Sequence, residues 1–530
     1  MLNPSARAPG LEFEVARPEQ ASNPLRTDIA GFAGPTERGP VGALVRVESW
    51  RDYVRQFGDY VRHAHTPLGI HGYFDNGGEI AHVLRTAGGP LASASGILTL
   101  DTLTGTQQWS VDGPAAGGFT HARYTISGKT PGAWANDLAV TVQYERVGRL
   151  GAPQVDVIVT QRRANQRAGA SEALRALGPA SLVADVNAQS NLIRVSTLGP
   201  PASPTPHPGP LASTWTVTLS GGSDRAPTLA DYNDAATRLF DEPEVALVAF
   251  VDLHRLPIPA AAQRMFLSAL AARAEVGLDR QVIASTPPGL ESEAEVSSWT
   301  DALRLTVTDR DARNLAVYHP WLEVVDPLGT AVNPHQRVSP VGHVAGAISR
   351  LDRERGAHHT PANAPLFDAV DVAEGYDSAG QGQLNALGIN LLRCQSGHGL
   401  VLWGGRTQAD AVRDPENLYI AHRRLVHRLV RAIRRVAVPL VFNSNGPALR
   451  FTLVRAITSV LLQAFRAGAL KGELPEEAFR VTCDETNNLP ADVDRGFVNC
   501  EIQVAPAVPM EFIKLRIALS SEGFLELIQP

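Results

Sequence analysis

Residues 479–519 read FRVTCDETNNLPADVDRGFVNCEIQVAPAVPMEFIKLRIAL, and this stretch decides the fold of the C-terminal part of the chain. Apolar and polar side chains alternate from Val498 to Val504 and again from Ile513 to Leu519, the period of two of half-buried strands. A third, shorter strand is predicted at 479–483. The residues on the predicted apolar face are Val498, Cys500, Ile502, Val504, Ile513, Leu515 and Ile517. Three antiparallel strands form a small sheet, and its open edges invite another chain.

The size and charge of the chain limit what it can be. At 530 residues and 56.6 kDa it is too long for one hydrophobic core, so two to four domains are expected. A formal net charge of −6 argues against a general nucleic-acid binder. Cys394, Cys483 and Cys500 form no CxxC pair, which favours buried thiols in a reducing compartment. No signal-peptide core and no run of about 18 apolar residues is seen, so we expect synthesis in the cytoplasm and no membrane insertion.

The order of the predicted elements indicates an α/β domain with an insertion and an α+β domain after it. Strands and helices alternate in 27–85 and in 207–375, which predicts a mostly parallel, discontinuous α/β domain. Residues 86–206 hold short alternating runs between glycine-rich turns and predict a β-rich insertion. Residues 376–517 predict a C-terminal domain with two long helices, about 418–437 and 447–469, and the small sheet. Residues 1–26 and 518–530 are expected to be linking arms.

Several motifs along the chain resemble those of the contractile phage tail sheath family. The N-terminal part contains an ERGP turn, a helix with the pattern W-x-x-Y-x-x-x-F-G (50–58) and an FDNGG loop. The middle contains PGAWAN (131–136) and YHPW (318–321). The most specific pair is GINLLR (388–393) followed by VLWGGRT (401–407), and CDETNN with ADVDRG closes the series. The resemblance is weakest across the insertion.

This resemblance implies a structural subunit, not an enzyme. Sheath subunits polymerise helically around an inner tube and contract to drive the tube through a target envelope. The implied partners are copies of the same chain, the inner tube, the baseplate and the tail-terminator or cap proteins. The implied location is a phage tail or a released phage-tail-like particle, assembled in the cytoplasm. A change between two packings would supply the energy without ATP.

Both ends of the chain carry short alternating patches set apart from the domains. They are LEFEV (11–15) and FLELI (524–528), and the family's usual PGVYVEE start reads PGLEFEV here. The patches are either disordered ends or strands that add to the open sheet of a neighbouring subunit, as the resemblance implies. Such head-to-tail contacts do not close and generate helical assemblies. The arm residues are Leu11, Phe13, Val15, Phe524, Leu525, Leu527 and Ile528.

The helix predicted at 418–437 carries a stripe of one charge sign. Arg424, Arg428, Arg431 and Arg435 fall within a narrow sector, and apolar residues lie opposite. No Asp or Glu occurs between Glu416 and Glu473, so the stripe needs a partner. Acids in 473–501 could neutralise it within the domain, or an acidic partner surface or nucleic acid could bind it. Resemblance to sheaths favours contact of these four arginines with the inner tube.

Motifs for catalysis, cofactors and metals are weak. Ser-Gly-Lys-Thr at 127–130 lacks the preceding glycine of a phosphate-binding loop, because position 123 is Arg. His343, His358 and His359 have no thiol or carboxylate at ligand spacing and are expected to lie in loops. We therefore expect no catalytic residues, no cofactor and no metal. Two alternatives remain open: a static tail or capsid protein, and an α/β enzyme with a β insertion and a pocket at the strand ends.

Overall fold

The computed structural model describes residues 26–100, 122–146, 153–162, 168–177, 181–198, 212–440, 444, 446–495, 497–508, 516–519 and 525–528. The strands are β1 (Ala30–Gly34), β2 (Leu44–Val47), β3 (Ala81–Arg85), β4 (Ser95–Leu100), β5 (Ala122–Gly128), β6 (Leu138–Arg146), β7 (Pro153–Arg162), β8 (Ala168–Leu177), β9 (Ile193–Thr197), β10 (Ala212–Thr218), β11 (Leu247–Ala249), β12 (Gln281–Ser285), β13 (Leu315–His319), β14 (Leu322–Val325), β15 (His335–Val338), β16 (Ala364–Pro365), β17 (Asp371–Val372), β18 (Ile389–Gln395), β19 (Gly399–Trp403), β20 (Phe479–Thr482), β21 (Glu501–Val504), β22 (Arg516–Leu519) and β23 (Leu525–Ile528). The helices are α1 (Trp50–Phe57), α2 (Thr66–Asp75), α3 (Leu182–Gln189), α4 (Leu229–Asp241), α5 (Ala260–Gly277), α6 (Glu293–Arg304), α7 (Asp309–Ala312), α8 (Val341–Glu354), α9 (Ser378–Ala386), α10 (Ile420–Ala437), α11 (Pro447–Arg466), α12 (Pro475–Ala478) and α13 (Pro490–Asp494).

A nine-stranded sheet with the order β16-β19-β18-β13-β12-β11-β1-β3-β2 organises the centre of the chain. From β18 to β3 neighbouring strands run parallel, and β19, β16 and β2 are antiparallel additions at the edges. Helices α2 and α8 cover one face, and α4, α5 and α6 cover the other, so each face has its own apolar core. The mixed α/β architecture is therefore as expected. Its central strands are buried on both faces, which explains their continuous apolar runs.

Glycines allow α2 and α8 to pack at backbone contact. A Cβ on Gly342 of α8 would lie 2.0 Å from the carbonyl oxygen of Gly69 in α2. A Cβ on Gly72 would lie 2.3 Å from the ring of His343. Larger residues at these positions would therefore push the helices apart. His343 is accordingly a fully buried helix residue, which corrects the expectation that it lies in a loop.

The inserted segment forms two antiparallel sheets, β10-β6-β7-β8 and β4-β5-β9, around one apolar core. Strand β10 pairs with β6 from Ala212↔Glu145 to Thr218↔Ala139. This pairing crosses the expected end of the insertion at residue 206. The insertion sheets extend to Ser220, which bridges to Ser95.

A second pairing crosses the expected boundary at residue 376. Strand β18 lies parallel to β13, with Val317↔Ile389 in register, and β19 pairs with β18. Residues 389–392 are all buried in the large sheet, so their apolar side chains pack in the α/β cores. The α/β unit thus continues through β19, and the helical C-terminal region follows it. The division into domains otherwise stays a prediction.

The C-terminal region contains the two expected long helices and a smaller sheet than predicted. Helices α10 and α11 pack on each other through Leu425, Leu429, Ile457 and Leu461. Strands β20 and β21 pair antiparallel, with Val481↔Ile502 in register. The expected third strand is instead paired elsewhere: β22 pairs with β23, with Ile517↔Leu527 in register. This corrects the prediction of one three-stranded sheet.

Several predicted arm and sheet residues lie outside the described part of the chain. They are Leu11, Phe13, Val15, Ile513, Leu515 and Phe524. Leu525, Leu527 and Ile528 belong to β23, where they pair with β22 of the same chain.

Candidate assembly site

Helix α10 is the element on which the candidate site is built, because it is enclosed on two sides. Its apolar side, with Leu425, Leu429 and Ile433, faces α11. Its basic side carries Arg424 and Arg431, and both are buried against the α/β unit. Arg424 and Arg431 thus have their partners within the chain and need no partner from another protein.

Arg431 binds backbone carbonyl groups of three separate segments. It donates to Asp279 O at 2.9 Å, to Pro243 O at 3.1 Å and to Arg26 O at 3.2 Å. A further hydrogen bond goes to Val245 O. Burial lowers the pKa of Arg431 to about 10, which leaves it charged at neutral pH. The guanidinium fork thus ties α10 to the turn before β11, to the loop after α5 and to the segment before β1.

Arg424 anchors the same region through a buried ion pair. It pairs with Asp352 of α8 and donates to Thr27 O at 2.8 Å. Thr27 Oγ1 in turn donates to Asp352 Oδ2 at 2.7 Å. Burial raises the pKa of Asp352, although the charge of Arg424 acts against this rise. We call Arg424, Arg431, Asp352 and the carbonyl groups of Arg26 and Thr27 the arginine clamp.

The clamp corrects the expectation of one exposed stripe of four arginines. Arg424 and Arg431 are 3% and 4% exposed, whereas Arg428 and Arg435 are exposed. One of the open alternatives placed the acids that neutralise the helix in 473–501. The structure supplies them instead from the α/β unit: Asp352 for Arg424 and, at 2.9 Å, Asp279 for Arg434.

His427 lies in the middle of this basic surface and is fully buried. Burial, followed by the charges of Arg423, Arg424 and Arg431, lowers its pKa well below the usual value. The ring is therefore neutral, with Nε2 3.3 Å from Asn314 Oδ1. A neutral imidazole fills this space without adding a charge to those of the surrounding arginines.

Sheet β20–β21 presents an open edge on the side of β21. Ala505 donates to Ala478 O at 2.9 Å and accepts from Lys471 N at 2.8 Å, so both of its backbone groups face the β20 side. Backbone groups alternate along an antiparallel strand, so those of Ile502 and Val504 face the opposite edge. No strand among the described residues pairs with that edge.

The side chains of β21 alternate as predicted. Val498, Cys500, Ile502 and Val504 are half-buried and their neighbours Asn499, Glu501 and Gln503 are exposed. Cys500, Ile502 and Val504 pack against the core between α10 and α11. The apolar face of this sheet is therefore covered by the chain itself. Among the described residues, what stays unpaired is the backbone N–H and C=O groups along the outer edge of β21.

The CDETNN motif builds the end of this sheet. Asn488 is 3% exposed and takes the place that a strand residue would occupy. Its Oδ1 accepts from Asn499 N at 2.7 Å and its Nδ2 donates to Asn499 O at 2.8 Å. Asn487 Nδ2 donates to Thr482 O at 2.7 Å. The two asparagines thus satisfy backbone groups where the ladder of hydrogen bonds stops.

Helix α11 has an apolar flank that the rest of the described chain leaves open. Phe451 is 69% exposed, and Val454 and Leu462 beside it are half-buried. By length and composition alone this helix could cross a membrane, with a mean hydropathy of 1.4 over its most apolar 18 residues. However, Arg455, Ser459, Gln463 and Arg466 form an exposed polar stripe along it. An amphipathic helix of this kind is typical of a protein interface.

The carboxyl edge of the parallel strands, where an enzyme of this architecture would bind its substrate, is filled by bonded polar groups. Asp252 Oδ2 accepts from Thr66 N at 2.7 Å, and Thr286 Oγ1 lies 2.7 Å from His319 Nδ1. The cavity lined by residues 283–285 of β12 measures about 10 Å³, which holds at most one water molecule. These described polar groups are thus bonded to one another at the edge where the enzyme alternative would require a substrate pocket.

The other motifs singled out in the sequence have structural roles. Lys129, which follows β5, donates through Nζ to Ser190 O. Gly128 is held against Ala135, since a Cβ there would lie 2.6 Å from that side chain. His358 and His359 lie in the loop after α8, with ring centres 4.4 Å apart and ring planes tilted by 37°. The expected loop position is thus correct for this pair.

Sequence reasoning did not find Asp352, Arg423, His427 or Asn488. Asp352 is an acid on a helix whose other face is rich in small buried residues, a weak signal for a buried ion pair. Arg423 donates to Asn314 Oδ1 at 2.9 Å and is 3% exposed. The alternating faces of α10 indicate which residues share a side, and they do not indicate which neighbour covers that side.

Comparison with known proteins identifies relatives for this arrangement. The phage tail sheath protein central domain matches residues 228–408, which run from α4 through β19. The tail sheath protein of Vibrio phage KVP40 is 31% identical over 202 residues, 37% of this chain and 29% of that protein. The matched segment thus spans less than a third of that relative's length.

Solved structures of low identity share the fold over most of the chain. The contracted helical sheath of the anti-feeding prophage has a TM-score of 0.54 at 20% identity and covers 97% of this chain and 99% of its own. The sheath tail protein from Listeria innocua has a TM-score of 0.59 at 13% identity and covers 91% and 95%. Residues 228–408, which include most strands of the principal sheet, are therefore similar to the central domain of phage tail sheath proteins.

Proposed function

We propose that the chain is the structural subunit of a contractile tail sheath. Copies polymerise helically around an inner tube and contract to drive that tube through a target envelope. The match of residues 228–408 to the phage tail sheath central domain carries this proposal. The polar groups at the carboxyl edge of the large sheet are hydrogen-bonded to one another, which favours the structural role over substrate binding at that edge.

The open edge of β21 is the proposed site of linkage between subunits. Strand addition needs unpaired backbone groups on a rigid strand, and Ile502 and Val504 present them beside the α10–α11 core. The arm residues Leu11, Phe13 and Val15 have the alternation that would suit such an edge. The β22–β23 pair is, in this proposal, the intrachain form of a contact that Leu525, Leu527 and Ile528 make with a neighbour.

Arg428 and Arg435 are the proposed contacts to the inner tube. They are exposed on α10, and no carboxylate pairs with either within the described residues. Arg424 and Arg431 hold α10 in place behind them and are not proposed as contacts. The tube surface they meet should be acidic.

The remaining partners follow from the same proposal. The polymer ends at a baseplate on one side and at a terminator or cap protein on the other. The chain is made and assembled in the cytoplasm, within a phage tail or a released phage-tail-like particle, without nucleic acid and without membrane insertion. Contraction exchanges one packing of rigid subunits for another and needs no nucleotide.

Electron microscopy of the purified chain tests this function. We expect long, hollow, striated tubes from the full chain and their loss on deletion of residues 1–20. A triple substitution of Leu11, Phe13 and Val15 to Asp should act like the deletion, whereas Glu12→Gln with Glu14→Gln on the other face should not.

Two outcomes would contradict the proposal. Monomers from the full chain, even when it is produced together with its inner tube, would exclude a sheath. Tubes with a single helical rise and diameter before and after mild denaturant would indicate the static tail or capsid alternative.

A further inference from the structure

Cys483 and Cys500 lie opposite each other at the end of sheet β20–β21. Cys483 directly follows β20 and Cys500 directly precedes β21. The last registered pair of the two strands is Thr482↔Glu501, so the next pair outward is Cys483 with Cys500. Sequence spacing alone gave no reason to join these two residues, since 16 residues separate them.

The kind of strand pair that they form brings their sulfur atoms together. The hydrogen bond from Ala505 N to Ala478 O makes 505↔478 a hydrogen-bonded pair. Hydrogen-bonded and non-hydrogen-bonded pairs alternate along antiparallel strands, so the pair 483↔500, an odd number of positions away, is not hydrogen-bonded. Non-hydrogen-bonded partners have Cα atoms about 4.5 Å apart. That separation falls within the range of about 4.4–6.8 Å that a disulfide bridges.

Both thiols point to the same side of the sheet and contact each other. Cys483 is 8% exposed, and Cys500 is half-buried against the core between α10 and α11. Burial, together with the neighbouring Cys483 thiol, raises the pKa of Cys500 to about 12. The Cys483 thiol is thus close enough to Cys500 to affect the ionisation of Cys500.

Asn488 holds the pair in position. Its Nδ2 lies 3.9 Å from Cys483 Sγ, and the same side chain binds the backbone of Asn499 next to Cys500. One amide group therefore contacts Cys483 on one strand and the residue next to Cys500 on the other. Little backbone movement would be needed to close a bond between them.

We propose that Cys483 and Cys500 are a redox pair that forms a disulfide across the end of sheet β20–β21 when the protein meets a small-molecule disulfide such as oxidised glutathione. The Cys500 thiolate attacks one sulfur of the glutathione disulfide and releases the first glutathione thiolate. The Cys483 thiolate then attacks the Cys500 sulfur of this mixed disulfide and releases the second. The protein loses two electrons and two protons, and one glutathione disulfide becomes two glutathione thiols.

The bond would close a loop around residues 484–499 and fasten β21 to β20. This inference concerns the single chain and does not depend on polymerisation. Since only thiolates attack, and since the pKa of Cys500 is high, the exchange is slow at neutral pH and accelerates as pH rises. Cys394 lies on β18 opposite Leu400, so it has no cysteine to pair with there.

The test uses Cys394→Ser, which keeps the pair and removes the third thiol, incubated folded with oxidised glutathione in mildly alkaline buffer. We expect both thiols to disappear from a thiol titration and the intact mass to fall by two hydrogen atoms. A peptide joining 483 to 500 should appear and vanish on reduction. Cys394→Ser/Cys483→Ser and Cys394→Ser/Cys500→Ser serve as matched controls and should form no such peptide.

Other products would overturn the inference. Retention of both thiols after oxidant treatment, stable glutathione adducts without ring closure, or covalent dimers on a non-reducing gel would each show that the pair does not close within the chain. Formation of the bond only after unfolding in denaturant would show that the folded geometry does not favour it.

Discussion

Asn488 takes the place of a strand residue where sheet β20–β21 ends, and its amide satisfies both backbone groups of Asn499. Asn488→Ala would remove these two hydrogen bonds, so we expect a loss of about 2 kcal/mol in the free energy of unfolding. Urea denaturation followed by circular dichroism measures it. Gln503→Ala, on the exposed face of the same sheet, should change stability by less than about 0.5 kcal/mol. Equal effects of the two substitutions would disprove this role.

Asp368 lies between two histidines, His71 at 2.8 Å and His343 at 3.7 Å. Burial alone would lower the pKa of His71, but its hydrogen bond and charge contact with Asp368 raise it. Burial alone would raise the pKa of Asp368, but the contacts with the two histidines outweigh burial and lower it. His71 and Asp368 are therefore both charged at pH values above the pKa of Asp368 and below the pKa of His71.

A group with a raised pKa stabilises the fold below its unfolded pKa and loses this contribution as pH rises through the folded value. For His71 the contribution is thus present near pH 6 and lost on the alkaline side, and for Asp368 it is lost as pH falls below about 4. Asp368→Asn, which keeps a residue suited to the φ of 61° at this position, should cost on the order of 1 kcal/mol near pH 6 and less at pH 8. Thermal unfolding at both pH values is the measurement, and a pH-independent cost would refute the pairing.

At the scale of elements, the α2–α8 contact depends on glycine. Gly342→Ala would place a methyl group 2.0 Å from Gly69 O, so the helices must separate, at a cost of about 3 kcal/mol. Gly382→Ala on α9 meets nothing within 4 Å and should stabilise by about 0.5–1 kcal/mol, as alanine does in a helix. Chemical denaturation of both variants would compare them, and a neutral Gly342→Ala would show that the contact is loose.

The apolar flank of α11 allows a prediction about assembly. If a neighbouring subunit covers this flank, Phe451→Asp should prevent tube formation while leaving the monomer folded, because Phe451 is 69% exposed. Ser459→Asp, on the polar stripe of the same helix, should not. Electron microscopy and sedimentation give the readout. Flotation of the native chain with lipid vesicles, abolished by Phe451→Asp, would instead assign the flank to a membrane.

Some elements were predictable because their signal is local. The alternation of 498–504 and the helix at 50–58 depend on residues a few positions apart, and the structure has them as expected. The place of β18 in the large sheet was not predictable. A buried run such as 389–392 has the same apolar pattern whether it belongs to the α/β domain or to the C-terminal domain. The burial of Arg424 and Arg431 depends on Asp352 and on carbonyl groups far away in the sequence, which no helical period reveals.

At the scale of the whole molecule, the four arginines of the predicted stripe on α10 should separate into two classes. Arg431→Met removes hydrogen bonds to several buried carbonyl groups and should destabilise the chain by about 3 kcal/mol. Arg428→Glu with Arg435→Glu should leave the free energy of unfolding nearly unchanged but abolish decoration of the inner tube. Denaturation and co-sedimentation with the tube distinguish the classes. Tube decoration that survives the double substitution would remove these residues from the contact.

The arginine clamp also bears on how the chain carries force. Arg431 and Arg424 grip the carbonyl groups of Arg26 and Thr27, just ahead of β1. A pull on the segment before Arg26 reaches these guanidinium groups first, and they pass the load directly into α10. Tension applied at the N-terminal end should therefore pull on α10 through the clamp before it can separate β1 from the central sheet.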